Sequence, residues 1–203
     1  MTRAIRVTHR GPVDLVAVRF RPGGARAFID VPAGELVDDW VDADALWGPF
    51  AAELWERMAE TGSTGRRVRL LEGALTARTG AAPDHVDPLV LRAAALLAGD
   101  GHRSPQAPEG PRRAPAVARV ADRLGVSRRH LERRFRGDVG LSPAQLRRVG
   151  RLRRAAGLIA GSTDTLGQVA VRAGYHDQAH MGRDFRELAG VTPGGYRREL
   201  GRA

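Results

Sequence analysis

The chain has 203 residues, no cysteine and a formal net charge of +10. Such a length buries a proper core in one or two domains, and the missing cysteine excludes disulfides, thiol catalysis and cysteine-held metal. No apolar run of about 18 residues occurs, and the N-terminus has no apolar stretch and cleavage site of the signal-peptide kind. A cytoplasmic protein without a membrane span is therefore expected.

The charge is unevenly spread. Residues 1–110 hold 13 Arg against 15 acids, a net of −2, whereas residues 111–203 hold 20 Arg against 8 acids, a net of +12. A basic half suits a polyanionic partner. Lys and Asn are absent altogether, as the coding bias of a high-GC genome produces, so the use of Arg alone carries no specificity.

In chain order, residues 4–8 and 13–20 alternate with β-branched residues around Gly11-Pro12 and predict a hairpin. Phe20–Ala25 reads as a turn and Ala27–Val31 as a third strand. Gly23-Gly24 supplies the positive φ of a tight turn or, alternatively, a cradle for an anion. From Pro32 the pattern is helical: Pro32–Asp39, Ala43–Trp47, an amphipathic Phe50–Thr61 with Phe50, Leu54, Trp55 and Met58 inward, and Arg67–Arg78. Residues 1–82 are thus expected to form a small α+β domain. Trp40, Trp47 and Trp55 serve either as packing residues or as the lining of an apolar pocket. His9, Asp14, His85, Asp87 and His102 lack metal-ligand or acid–base spacing, and His85-Val86-Asp87 reads better as an exposed helix start than as two ligands. No metal or cofactor is predicted, and no nucleophile–base pair or phosphate loop points to an enzyme.

Residues 83–203 form the second predicted domain. Asp87–Ala98 is a helix with Leu89, Val90, Ala93, Leu96 and Leu97 on one face. Gly99–Pro115, rich in Pro and Gly, is expected to be a flexible loop whose Arg112 and Arg113 reach phosphates. Then one pattern occurs twice. Val117–Leu124 closes on Gly125-Val126, Ser127 follows, and Arg128–Phe135 opens a second helix. Leu166–Ala173 closes on Gly174-Tyr175, Asp177 follows, and Gln178–Phe185 opens another. In each, a glycine ends the first helix in the left-handed conformation and a small polar residue caps the second. Leu131 and Phe135 correspond to Met181 and Phe185, Arg133 to Arg183, at an offset of 50 residues. This is a helix–turn–helix with an exposed recognition helix, present twice. Pro143–Ala160 joins the two, with Leu146, Val149, Leu152, Ala156 and Ile159 inward; its 18 residues span roughly 27 Å at about 1.5 Å each.

At these residues, and at Gly140-Leu141-Ser142-Pro143, Ala170, the Asp177-Gln178 pair and the closing Gly190-Val191-Thr192-Pro193 with Tyr196, the sequence resembles the AraC/XylS family of bacterial transcription regulators. The resemblance covers roughly residues 115–200. It implies a mainly α fold with a C-terminal seven-helix double helix–turn–helix domain, and a sequence-specific regulator that inserts two recognition helices into successive major grooves of double-stranded DNA. Phe20–Gly24, Val31-Pro32 and Leu46-Trp47-Gly48 resemble a short sensor-like N-terminal domain of such regulators, with fewer strands ahead of Phe20 than is usual. A small-molecule effector there and contact with RNA polymerase are what the resemblance implies.

Carried across position by position, Arg129, Glu132 and Arg133 of the first recognition helix fall where base edges are read, as do Gln178, Ala179 and Arg183 of the second. Arg suits guanine, Glu cytosine N4, Gln adenine and Ala the thymine methyl. Glu132 has an alternative, an intrahelical pair with Arg128, Arg129 or Arg136. Arg128, Arg136, Arg147, Arg148, Arg151, His180 and Arg186 are expected at phosphates. Ser127 and Asp177 are expected to be caps, and Asp184 to be neutral to DNA or paired with a neighbouring Arg.

Overall fold

Among residues 15–79, 86–99 and 116–201, which this computed structural model describes, every regular element is a helix. The strand at residues 4–8, His9, Asp14, His85, His102 and nearly all of the loop with Arg112 and Arg113 lie outside the described residues. The chain divides into two compact units: Arg6–Leu91 with Arg133–Gly140, and Arg92–Glu132 with Leu141–Ala203.

In the first unit the expected α+β architecture is overturned, because no strand forms among the described residues. Residues 15–20 have no regular structure, and Gly24–Ala27 is a 3-10 turn where the third strand was to begin. The physical reason is local competition for the backbone. Phe28 and Ile29 both donate their N–H to Ala25 O, and the Arg26 guanidinium donates to Ile29 O at 3.0 Å and Val31 O at 2.9 Å. Carbonyls that a neighbouring strand would need are already taken. Gly23-Gly24 does form the tight turn, with Gly24 N–H on Arg21 O at 2.8 Å. Phe20 stacks on Phe28 with centroids 5.0 Å apart.

A second 3-10 turn, Ala33–Leu36, stands where the short helix from Pro32 was expected. It runs so close to Gly140 that a β-carbon there would lie 2.5 Å from Ala33 O, an approach only glycine permits. Helices α1 (Ala43–Trp47), α2 (Pro49–Ala59) and α3 (Thr64–Thr79) follow, close to their predicted bounds. Trp47 is a packing residue: its indole N–H donates to Phe28 O at 2.8 Å, and Arg78 lies 5.4 Å from its ring centroid. Trp40 and Trp55 are 68% and 73% exposed, so neither lines a buried pocket; α2 buries Ala51 and Leu54 instead. Helix α4 (Pro88–Gly99) buries Val90, Ala93, Ala94 and Leu97, three of them anticipated. Asp87 starts it, accepting from Leu89 N–H at 2.8 Å and from Arg134 Nε at 2.6 Å.

The second unit is built on α7 (Pro143–Gly161). Proline at its first position suits a helix start, and Ser142 and Gln145 form a reciprocal capping box. Thr165 and Gln168 repeat the device at α8 (Leu166–Ala173). Ala155 and Ile159 of α7 pack with Val169, Ala170, Ala173, Tyr175, Met181 and Phe185 in one core. Ala155 is fully buried where its neighbour Ala156 was expected inward and is half-buried, because helical periodicity does not decide between two adjacent alanines. Helix α10 (Pro193–Leu200), capped by Thr192, closes the core through Tyr196, 6.0 Å from the Phe185 ring. Arg197 donates to Asp164 O at 2.7 Å, tying α10 to the α7–α8 loop.

Candidate nucleic-acid interface

The two turns have the same hydrogen bonding. After α5 (Ala116–Arg123), Gly125 takes φ +68° and Val126 N–H reaches back to Ala121 O at 3.0 Å. After α8, Gly174 takes φ +87° and Tyr175 N–H reaches back to Ala170 O at 2.9 Å. Both are left-handed C-caps with the long-range return bond of that motif. Only glycine adopts such a φ without strain.

Each turn delivers a capped helix. Ser127 Oγ accepts from His130 N–H at 3.1 Å at the start of α6 (Arg128–Val139). Asp177 Oδ1 accepts from His180 N–H at 2.6 Å at the start of α9 (Gln178–Asp184). Both residues are the caps expected of them. The His180 backbone N–H, and then the His176 imidazole, hold the Asp177 carboxyl below the usual carboxylate range. Leu131 and Phe135 on α6, and Met181 and Phe185 on and after α9, are fully or almost fully buried. Burying residues four apart leaves the opposite face of each helix outward.

On α6 that face carries Arg129, Arg133 and Arg136, all exposed. Arg128 Nε bonds Glu132 Oε1 at 2.7 Å, so the intrahelical pair considered for Glu132 is formed in the free chain. On α9, Gln178, Ala179 and Arg183 are exposed and His180 is half-buried, edge-on to Tyr175. Arg186 is exposed in the π-helical turn Phe185–Ala189 that continues α9.

The α7 arginines divide. Arg147 is half-buried. Arg148 Nε donates to Asp184 Oδ1 at 2.5 Å, and its Nη2 pairs with Glu187. Arg151 Nη2 lies 3.6 Å from Asp184 Oδ2, and its guanidinium carbon sits 5.3 Å from the Tyr175 ring centroid. The Asp184 side chain is 4% exposed. Burial, then the Asp184 charge, pushes the Tyr175 phenol up. Arg148 and Arg151, expected at phosphates, each have a carboxylate partner. A signal for this was present: Asp184 stands three residues after Met181 and one before Phe185, on the buried face, where a carboxylate requires a cation.

A family profile described as "Helix-turn-helix domain" matches residues 120–199, and one described as "Domain of unknown function (DUF6597)" matches residues 1–42. The curated relatives that share this C-terminal region are transcription regulators of the helix–turn–helix and AraC-like kind. The chain is 34% identical over 85 residues to the HTH-type transcriptional regulator MtrA of Neisseria gonorrhoeae, covering 42% of this chain and 28% of that protein. It is 32% identical over 174 residues to an AraC-like transcription regulator of Streptomyces lividans, covering 83% of this chain and 54% of that one. Among solved structures it overlays the C-terminal domain of AraT, a response regulator from Geobacillus stearothermophilus, with 27% identity and a TM-score of 0.48 over 56% of this chain and 86% of that one. The chain spans at most about half the length of these curated relatives. Among the described residues no group of His, Asp and Glu is placed to hold a metal, and no helix is long and apolar enough to cross a membrane.

Proposed function

We propose that the protein is a transcription regulator that binds double-stranded DNA sequence-specifically, presenting α6 and α9 to successive major grooves. The observation that carries this reading is the repeated turn: two left-handed glycine caps, each followed by a capped helix with a buried residue pair and a polar outer face. The 19 residues of α7 give a connector of roughly 28 Å at about 1.5 Å per residue, comparable to the groove repeat of about 34 Å.

In this reading Arg129, Glu132 and Arg133 address base edges in one groove, and Gln178, Ala179 and Arg183 in the next. Arg128, Arg136, Arg147, His180 and Arg186 lie toward phosphates. Glu132 reaches a cytosine amino group by leaving Arg128, whose guanidinium is then free for the backbone. The boundary between the N-terminal and DNA-binding domains is placed at residues 82–83, and the protein in the cytoplasm. A small-molecule effector on the N-terminal residues and a contact with RNA polymerase complete the regulator that the resemblance implies.

Binding-site selection from random duplexes with the purified chain tests the proposal. A discrete preferred site, bound at least about 10³-fold more tightly than unrelated duplex at one salt concentration, is expected of a specific binder. Uniform affinity across sequences would instead describe a basic coating protein and would remove the regulator reading.

A further inference from the structure

Resting on the reading of α9 as a DNA-recognition helix, we propose that Asp184 is a positioning residue: clasped by Arg148 and Arg151 of α7, it fixes the rotation at which Gln178, Ala179 and Arg183 face the bases. Helix α9 has only seven residues, two turns, and its apolar anchors Met181 and Phe185 act through non-directional burial. Apolar contact holds a short helix against its neighbour but leaves its rotation loosely defined. A charge-assisted hydrogen bond has a direction, and the one from Arg148 Nε to Asp184 Oδ1, at 2.5 Å, comes from the long helix on which the unit is built.

The clasp refers both ends of α9 to α7. At the C-terminal end, one Arg148 guanidinium joins Asp184 to Glu187 in the following turn. At the N-terminal end, Arg151 lies over the ring of Tyr175, which is itself 5% exposed. Arg151 Nη2 approaches the second Asp184 oxygen at 3.6 Å. The helix widens from α to π immediately after Asp184, and such widening recurs at functional sites. Arg183, one residue earlier, is exposed. A rotation of α9 that moved the carboxylate off Arg148 would swing Arg183 by the same angle. The clasp also engages two guanidinium groups with carboxylates in the free chain, so neither should contribute a full counterion-release increment on DNA binding.

The test uses the full chain, the duplex selected by the wild type and a panel of its single-base variants. Affinities are measured for wild type, Asp184→Ala, Asp184→Asn, Arg148→Gln and Arg183→Ala, with salt slopes and melting curves. Asp184→Ala and Arg148→Gln are expected to lose about tenfold or more of the discrimination at the base pairs that Arg183→Ala identifies. Both should keep discrimination elsewhere, and Arg148→Gln should leave the salt slope unchanged. Asp184→Asn, which retains an acceptor for Arg148 Nε, should stay within about threefold of wild type, a tolerance set by one neutral hydrogen bond. If Asp184→Ala does not fold, Arg148→Gln and Asp184→Asn decide by the same ratios. Lowered melting with an unchanged base profile would reduce the cluster to a structural role and overturn the proposal. So would a salt slope lower by about 0.9 in Arg148→Gln with unchanged ratios, the mark of a phosphate contact. A wild type without sequence preference would bring down the DNA-reading proposal and the clasp together. A discriminating wild type with an identically discriminating Asp184→Ala would bring down the clasp alone.

Discussion

Two aspartates of the first unit show how small differences in surroundings set opposite signs. Burial pushes the Asp87 carboxyl up, but the Arg134 hydrogen bond and the Leu89 backbone N–H outweigh it and leave the group below the usual range. A depressed carboxyl contributes stability above its unfolded pKa, and that contribution is lost as pH falls through its folded pKa. Asp138 is the reverse: burial, and then the nearby Asp87 charge, raise it, while Arg134 and Arg26 pull the other way. Its Oδ2 is buried without a hydrogen-bond partner. Stability therefore falls as pH rises from the unfolded Asp138 pKa through its raised folded value. Asp138→Asn is expected to raise the melting temperature at pH 7, with the gain fading as the solution is acidified through that window. Asp87→Ala, which removes the cap of α4, should cost about 1 kcal/mol at neutral pH. Thermal melts from pH 3 to 7 check both, and equal shifts at all pH values would contradict the assignment of charge as the cause.

At the scale of elements, the helix–turn–helix glycines and the α7 glycines separate conformational need from space. A β-carbon at Gly125 would meet nothing within 4 Å, and one at Gly174 only Arg151 Cδ at 3.9 Å. Room is available at both, but φ is +68° and +87°. Gly125→Ala and Gly174→Ala are each expected to destabilise by about 1–2 kcal/mol through backbone strain. Gly150 and Gly157 lie inside α7 with nothing within 4 Å of a β-carbon. Replacing either by Ala should stabilise by about 0.4–1 kcal/mol. Urea titration distinguishes the two pairs, and a gain at Gly174 would contradict the left-handed turn. These turns were legible in the sequence because their chemistry is local: a glycine, a cap and a buried pair at fixed spacing. The strands expected over residues 15–20 and 27–31 do not form, for a complementary reason. β-branched alternation around Val16 and Val18, and the short run to Val31, match a strand's pattern, but pairing partners are not local. The side chain of Arg26 satisfies the carbonyls first.

Over the whole molecule, the net charge of the C-terminal half pointed to a polyanion. It did not show which arginines are free to meet it. Arg148 and Asp184 are 36 residues apart, and no local spacing announces their pairing. Only the position of Asp184 on the buried face of α9 did so. Arg151→Ala is accordingly expected to change the salt slope by much less than the roughly 0.9 of a phosphate contact. Affinity measured across a salt series checks it, and a full decrement would return Arg151 to the backbone.

On the proposed reading, two equivalent side chains, Arg133 and Arg183, read separate parts of one site. Arg133 stands midway between buried Leu131 and Phe135, and Arg183 midway between buried Met181 and Phe185. Each is about 200° from both neighbours on the helix circumference and so points outward. Competition titration of wild type, Arg133→Ala, Arg183→Ala and the double variant against single-base variants of the selected duplex is the most direct test. Each substitution should cost about 1–3 kcal/mol and relax its own base pairs, the two sets lying about one helical turn apart. The double variant should be additive within about 0.5 kcal/mol. Relaxation of the same base pairs by both, or no base-specific effect of Arg183→Ala, would contradict reading by two recognition helices.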